Sequence, residues 1–440
     1  MKKVANFLAA LAFVGLSGSA NAQITVIDSG TCGADLAWKL TSDSTFTISG
    51  SGDMTDYNYW QIGLTWDIDT SDTPWWSYRN IIETVIIGDS ITSIGKSVFA
   101  DCVNLKSVTI PNGIISIGME AFRNCIGLTS VTIPNSITRI GSYAFRNCQG
   151  LTSLTIPSSL TTWGDFAFEN CLNLISVIIE NGVTSIGRYA FHSCRNLISV
   201  SIPNSVTTIG HCAFYICENL KSVILPDSLI SIESIAFGFC SSLTSITIPN
   251  SITIIESNTF HSCKSLASVT IGNSVTSIQQ WAFSGCSGLK FITIHATTPP
   301  KLPELPYVEN HVFEEVPDTI PVYIPCGTLS AYQNSEWGHC FSNFIDSCTG
   351  LNEVVYNENI TVYPNPTTGK FSVFSSQLSE MSGEIEIEIY DVVGRKYNVG
   401  AKHVLPEDEI TIDISHLASG LYFLKIQTDN GIVMKKVVKQ

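Results

Sequence analysis

Cysteine is the residue type here whose number and spacing first suggest chemistry. Cys102, Cys125, Cys148, Cys171, Cys194, Cys217, Cys240, Cys263 and Cys286 recur every 23 residues without a slip. Thiols in such a series could cross-link, hold a soft metal ion or supply a nucleophile. Their spacing favours none of these. There is no Cys-x-x-Cys pair, an odd column of nine cannot pair completely, and a small buried hydrophobe at a fixed register explains the period. Reduced, inward-facing thiols are therefore expected. Off the register lie Cys32, Cys212, Cys326, Cys340 and Cys348. Cys326, Cys340 and Cys348 are the better disulfide candidates, with one left over. Cys212 stands beside His211, which would favour a reactive thiolate, but a partly covered, inert cysteine is the preferred reading.

Other catalytic constellations are missing. The sequence has no His-Glu-x-x-His and no glycine-rich loop leading into Lys-Ser or Lys-Thr. His192 and His261 share a repeat column but are three units apart, roughly 15 Å if units stack at strand spacing, too far to share a metal ion. They read as solvated surface histidines. Trp60, Trp66, Trp75 and Trp76, near Asp67 and Asp69, would be the place for an enzyme site. They read instead as cap core or a sugar-stacking face. No catalytic residue, metal site or cofactor is expected, and the chain reads as a binding protein rather than an enzyme.

The elements that position these residues follow from the period. One unit runs Cys125, Leu128, Val131, Ile133, Pro134, Ile137, Ile140, Gly141, Ala144, Phe145, Cys148. Alternation of Val131 and Ile133 suits a short strand with one buried face, and Thr132 points outward. Pro134 cannot donate to a ladder and ends that strand, while Gly141 permits a tight corner. One unit is thus one coil. A single coil buries too little apolar surface to offset the entropy of ordering it, so stability must come from stacking coils as parallel strands.

The chain has 440 residues, 44% of them hydrophobic, with a formal net charge of −15. An acidic surface repels phosphate backbones, so nucleic acid is not an expected partner. Lys2 and Lys3, the apolar run Phe7 to Leu16 and Ala20-Asn21-Ala22 match a secretory signal peptide over residues 1–22. No later segment has the length of apolar sequence that a transmembrane helix needs.

The units over 81–294, with their V-x-I-P, V-x-x-I-G, A-F and C-x-x-L pattern, resemble the BspA-like leucine-rich repeats. The segments Gly30-Thr31-Cys32-Gly33, Thr45 to Met54 and Pro74-Trp75 are similar to the lead-in of such proteins, giving an N-terminal capping region at 23–80. Residues 295–350 leave the period and form the opposite cap, with Val322, Ile324, Pro325, Tyr332 and Trp337 as anchors. After a linker at 351–358, residues 359–440 resemble the sorting domain of type IX secretion substrates. The resemblance is carried by Tyr363-Pro364-Asn365-Pro366, alternating Ile385, Ile387 and Ile389, Asp391 to Arg395, Gly420-Leu421-Tyr422 and Lys435 to Val438. The fold class is a repeat solenoid with short parallel strands and two caps, followed by a small all-β sandwich. The resemblance implies export across the outer membrane by the type IX machinery to the cell surface or the exterior, and adhesin-like attachment to a host or bacterial surface protein or glycan. A carbohydrate-binding or structural surface component is the alternative.

Residues of the binding face follow from comparing columns. The outward strand column is nearly all Ser and Thr and gives a plain, solvated face. Beside the A-F turn stand Tyr143, Phe166, Tyr189 and Trp281 in one column and Arg123, Arg146, His192, Tyr215 and His261 in another. Stacking would align them as a stripe of residue types enriched at binding hot spots.

Overall fold

The computed structural model describes residues 23–61, 69–303 and 311–346, then 361–363, 365, 367–374, 386–391, 395–397, 409–428 and 431–439. The signal peptide expected at 1–22, the linker expected at 351–358, and Trp66, Asp67, Cys348, Pro364, Pro366, Ile385 and Val392 to Gly394 lie outside the described residues. The chain forms two compact units, one ending at Phe344 and a second that carries Ile345 onward with Pro325–Gly327.

In the first unit, each coil presents three sides. On the first, alternation buries Val177 and Ile179 and exposes Ile178. Parallel pairing places every residue opposite its counterpart one unit away: Ser153 with Ser176, Leu154 with Val177, Ile156 with Ile179. A second side carries two-residue strands such as Ser116–Ile117, paired in parallel with Arg139–Ile140. The third is the A-F corner, where Phe122 N–H donates to Ala144 O and Phe145 N–H to Ala167 O, both at 2.8 Å. Around Gly141 the packing is too close for a side chain, a Cβ there lying 2.5 Å from Met119 N, whereas later coils carry Glu233, Glu256 and Gln279 at this position.

Two columns fill the interior. Phenylalanines from Phe99 through Phe283 stack ring on ring, for example Phe122 on Phe145 and Phe145 on Phe168, each at 5.1 Å. The register cysteines are buried thiols, as the sequence led us to expect. From Cys125 onward each donates to a phenylalanine carbonyl of the preceding coil. Cys326 is disulfide-bonded, with its partner outside the described residues, and Cys340 keeps a thiol that donates to Glu336 O.

The caps extend the solenoid rather than merely covering it, so it reaches about 11 coils where the repeat pattern alone marks nine. Val26–Gly33, Leu36–Thr41 and Thr45–Gly50 form an antiparallel sheet whose last strand pairs in parallel with Thr84–Ile87. Trp75, 1% exposed, packs among Trp38, Phe46, Tyr57 and Phe99 and donates to Val98 O at 3.0 Å. That tryptophan is cap core. At the other end Val322–Ile324 pairs with Phe291–Ile294, and Phe313 stacks on Phe283. Tyr332 donates to Ala296 O at 2.6 Å, and the Trp337 indole to Pro300 O at 2.8 Å.

The ladders are interrupted in places. Trp163 occupies a column held elsewhere by isoleucine, and the pairing of Thr162–Trp163 runs back to Arg139–Ile140 but not forward to Ser185–Ile186. The indole leans onto Phe168 and Phe191, with ring centroids 6.4 and 6.0 Å away.

The second unit is antiparallel. Lys370–Phe374 lies between Thr361–Tyr363 and Glu409–Asp413, and Gly420–Thr428 between Glu386–Asp391 and Gly431–Lys439. Phe371, Val373, Ile389, Ile412, Leu424 and Ile426 form its core. Two segments that carry the sorting-domain resemblance meet here: Asn365 donates to Lys436 O at 2.6 Å and accepts from Val438 N–H at 2.8 Å.

Candidate functional site

The A-F corner holds non-glycine residues in the left-handed region twice per coil, as at Tyr143 (φ 59°) and Asn147 (φ 59°). This backbone costs free energy for residues other than glycine, and the corner amide bonds of successive coils hold it in place. At Tyr143, Phe166 and Tyr189 the side chain of the first such position reaches the surface. Successive coils then bring Tyr143, Phe166 and Tyr189 into one stack, with ring centroids 5.1 and 4.1 Å apart and planes within 12° of parallel. The Arg146 guanidinium caps the stack 5.4 Å from the Tyr143 ring. His192 touches the Phe166 and Tyr189 rings at 6.1 and 5.9 Å, and Tyr215 lies 5.2 Å from His192. These six residues are half-buried and contiguous.

A buried carboxylate underlies them. Glu169 is 7% exposed and stands in the same column as Arg146 and His192. Its Oε2 lies 2.7 Å from Arg146 Nε, off the line of a good hydrogen bond but close enough to pair the charges, and its Oε1 lies 3.6 Å from His192 Nδ1. Burial raises the Glu169 pKa, with Arg146 and Arg123 opposing the shift. Burial lowers that of His192, and Arg146 lowers it further. Its sequence signal was the column itself, in which an acid follows two arginines and precedes a histidine.

Other stripe residues are placed differently. Arg123 is 6% exposed, with its guanidinium 3.1 Å from Glu120, so it presents little to a partner. Tyr215 continues through Phe239, which the column comparison did not single out, to His261. His192 and His261 are half-buried rather than solvated, and burial lowers the pKa of each. Trp281 is exposed but separated from Tyr189 by Cys212, Ile235 and Asn258 in its column. Cys212 is 4% exposed and its thiol is pushed up to about 11 by burial, which opposes a reactive thiolate.

The strand face departs from the plain Ser/Thr surface expected of it. Ile86, Ile178 and Ile224 interrupt its outward column and stand 42–53% exposed. Among the described residues no group of His, Cys, Asp and Glu is arranged to hold a metal ion, and no helix is long and apolar enough to cross a membrane.

Residues 361–440 match the model of the secretion system C-terminal sorting domain, and the chain is accordingly exported by the type IX route to the cell surface or extracellular space. No curated protein matches significantly. Similar solved structures include a leucine-rich repeat protein from Bacteroides ovatus, 21% identical with a TM-score of 0.50, covering 70% of this chain and 86% of that one. Another is a leucine rich cell surface protein from Faecalibacterium prausnitzii, 25% identical with a TM-score of 0.35, covering 73% of this chain and 95% of that one. The first supports the fold alone. Six copies of the BspA type leucine rich repeat region match across residues 76–198 and 184–316, more than half of the sequence, and the chain belongs to that family.

Proposed function

We propose that this cell-surface protein is adhesin-like and engages a protein partner through the corner stripe of Tyr143, Arg146, Phe166, Tyr189, His192 and Tyr215. The observation that carries the reading is the half-exposed stack Arg146–Tyr143–Phe166–Tyr189, set on an otherwise repetitive solenoid. Such side chains bury large area with few rotamers and keep hydrogen-bonding groups at their tips. Parallel stacking supports a protein over a glycan, because the ring faces that a sugar would cover are occupied by neighbouring rings and by Arg146. Ring edges and tyrosine hydroxyls are left to the partner.

An array of matrix proteins, surface proteins and glycans probed with the whole chain tests this. Tyr143→Ala, Arg146→Ala and Tyr189→Ala together should weaken the protein bound by about 2 kcal/mol or more with little change in Tm. Unchanged affinity, with the loss appearing for strand-face substitutions instead, would move the site to the strand side.

A further inference from the structure

The ring contacts of the corner do not end at Tyr215. Gly238 takes the next place in that column, and a Cβ there would lie 3.1 Å from Tyr215 Cδ2, so the glycine leaves room for the tyrosine ring. Phe239 (φ 59°) follows in the left-handed region, 38% exposed, with its ring 5.5 Å from Tyr215 and 5.2 Å from His261. Rings therefore line the corner over six successive coils, from Tyr143 to His261.

Coil spacing at this corner sets what can lie along it. The adjoining phenylalanines repeat at 5.1 to 5.7 Å from Phe145 to Phe260. That is wider than the roughly 4.8 Å between paired strands and matches the pitch of an α-helix, about 5.4 Å per turn. A helix laid along the corner meets one coil per turn and stays in register over all six. An extended strand presents one face every 6.6 Å or so and is out of register within about three coils.

We infer that the partner segment seated on the corner stripe is an amphipathic α-helix lying along the solenoid, with a basic end over Glu314 and Glu315. The inference rests on the stripe being a protein-binding face and adds the form and polarity of what it binds. The five coil steps from Tyr143 to His261 span about 27 Å, the length of about 18 helical residues. Apolar side chains three and four residues apart, one stripe of such a helix, enter the gaps between successive corner rings. Two coils beyond His261, Glu314 follows Phe313 as His261 follows Phe260, and Glu314 and Glu315 are both exposed. Burial lowers the His261 pKa and the two carboxylates oppose that fall, so their field reaches the end of the stripe. At the other end Arg146 and Glu169 offset one another, which leaves the acidic end to orient the helix.

Fluorescence anisotropy on the whole chain tests the inference. The probe is a labelled synthetic peptide of about 18 residues, with leucines along one helical face, alanine and glutamine elsewhere and two lysines in its last turn. One control carries proline at two central positions, and another has the same composition with leucine at alternate positions. The helical peptide should bind at least about tenfold tighter than either control, and Tyr189→Ala and Phe239→Ala should each weaken it about tenfold. Glu314→Gln with Glu315→Gln should weaken it about threefold at low salt and not at high salt. Equal binding of the three peptides, or no binding of the helical one at millimolar concentration, would overturn the helix. The array experiment stays independent of that result, since a partner protein lost with Tyr143, Arg146 and Tyr189 would keep the stripe as a contact face without a helix on it. Helical-peptide binding untouched by Phe239→Ala would overturn the placement along the corner.

Discussion

Cys148 Sγ donates to the carbonyl of Phe122, 3.1 Å away and 26 residues earlier in the chain. The same bond recurs at Cys125 to Phe99 and onward to Cys286 and Phe260, so the thiol column is tied to the backbone corner beneath the phenylalanine stack. A thiol held this way is a weak donor in an apolar shell, and burial raises the pKa of Cys125, Cys171, Cys217 and Cys263 well above the ordinary range.

The register thiols should therefore resist iodoacetamide in the native protein at pH 8 and react together when the chain is unfolded. Mass spectrometry after timed alkylation reads this directly. Labelling of Cys148 or Cys171 in the folded protein at the rate of a free thiol would show that the column is open to solvent.

His192 gives a pH dependence of defined sign. Its folded pKa lies below 6.5, so it contributes stability that is present above 6.5 and lost as pH falls through the folded value. Glu169 acts oppositely, since its raised pKa favours the folded state once it is protonated. The Tm advantage of the parent over His192→Gln should shrink between pH 7 and pH 5. The same comparison in a Glu169→Gln background separates the two groups. An advantage that grows on acidification would reverse the assignment.

Trp163→Ile restores the residue that the column carries in other coils. The second-side ladder should then close between Thr162 and Ser185, slowing exchange at Ser185 to Gly187 about tenfold. Unaltered exchange there would show that the bulk of Trp163 is not what parts these rungs.

Trp75→Ala removes a fully buried side chain and its hydrogen bond to Val98, and should cost about 3–5 kcal/mol in chemical denaturation. The loss should appear first as faster exchange at Val85 and Ile87, the rung beside the cap. A cost under about 1 kcal/mol would mean that the cap does not seal the solenoid.

Removing residues 359–440 should leave the body in the periplasm while the signal sequence still directs it there. Cell fractionation decides it, and normal surface display of the shortened chain would remove the sorting role from this segment.

The buried columns were legible because each apolar residue returns after 23 positions and sterics leave it one side of the coil to occupy. Phe122, Cys125 and Leu128 needed no more than that. The caps were less so: Phe46 and Ile48 pair with Val85 and Ile87 through backbone bonds, which leave no periodic trace in a segment outside the repeat. At the corner, the aromatic stack was visible as a column, but Glu169 was passed over because an acid reads as solvated until its neighbours are known to cover it. Residues 130–133 pair with neither neighbouring rung, and this had no sequence signal, since the same four residues form a regular rung at 268–271.

Both caps dock by adding a strand to a rung, Thr45–Ile48 onto Thr84–Ile87 and Val322–Ile324 onto Phe291–Ile294. What a cap meets is thus one generic surface rather than a tailored one. Unequal recombination between units in the gene would therefore lengthen or shorten the reach of the molecule by one rung at a time without any change to the parts that finish its ends. Each such event would also shift which corner residues become neighbours. A lineage could thereby reshuffle its contact face by copy number alone, before a single codon at the stripe had mutated.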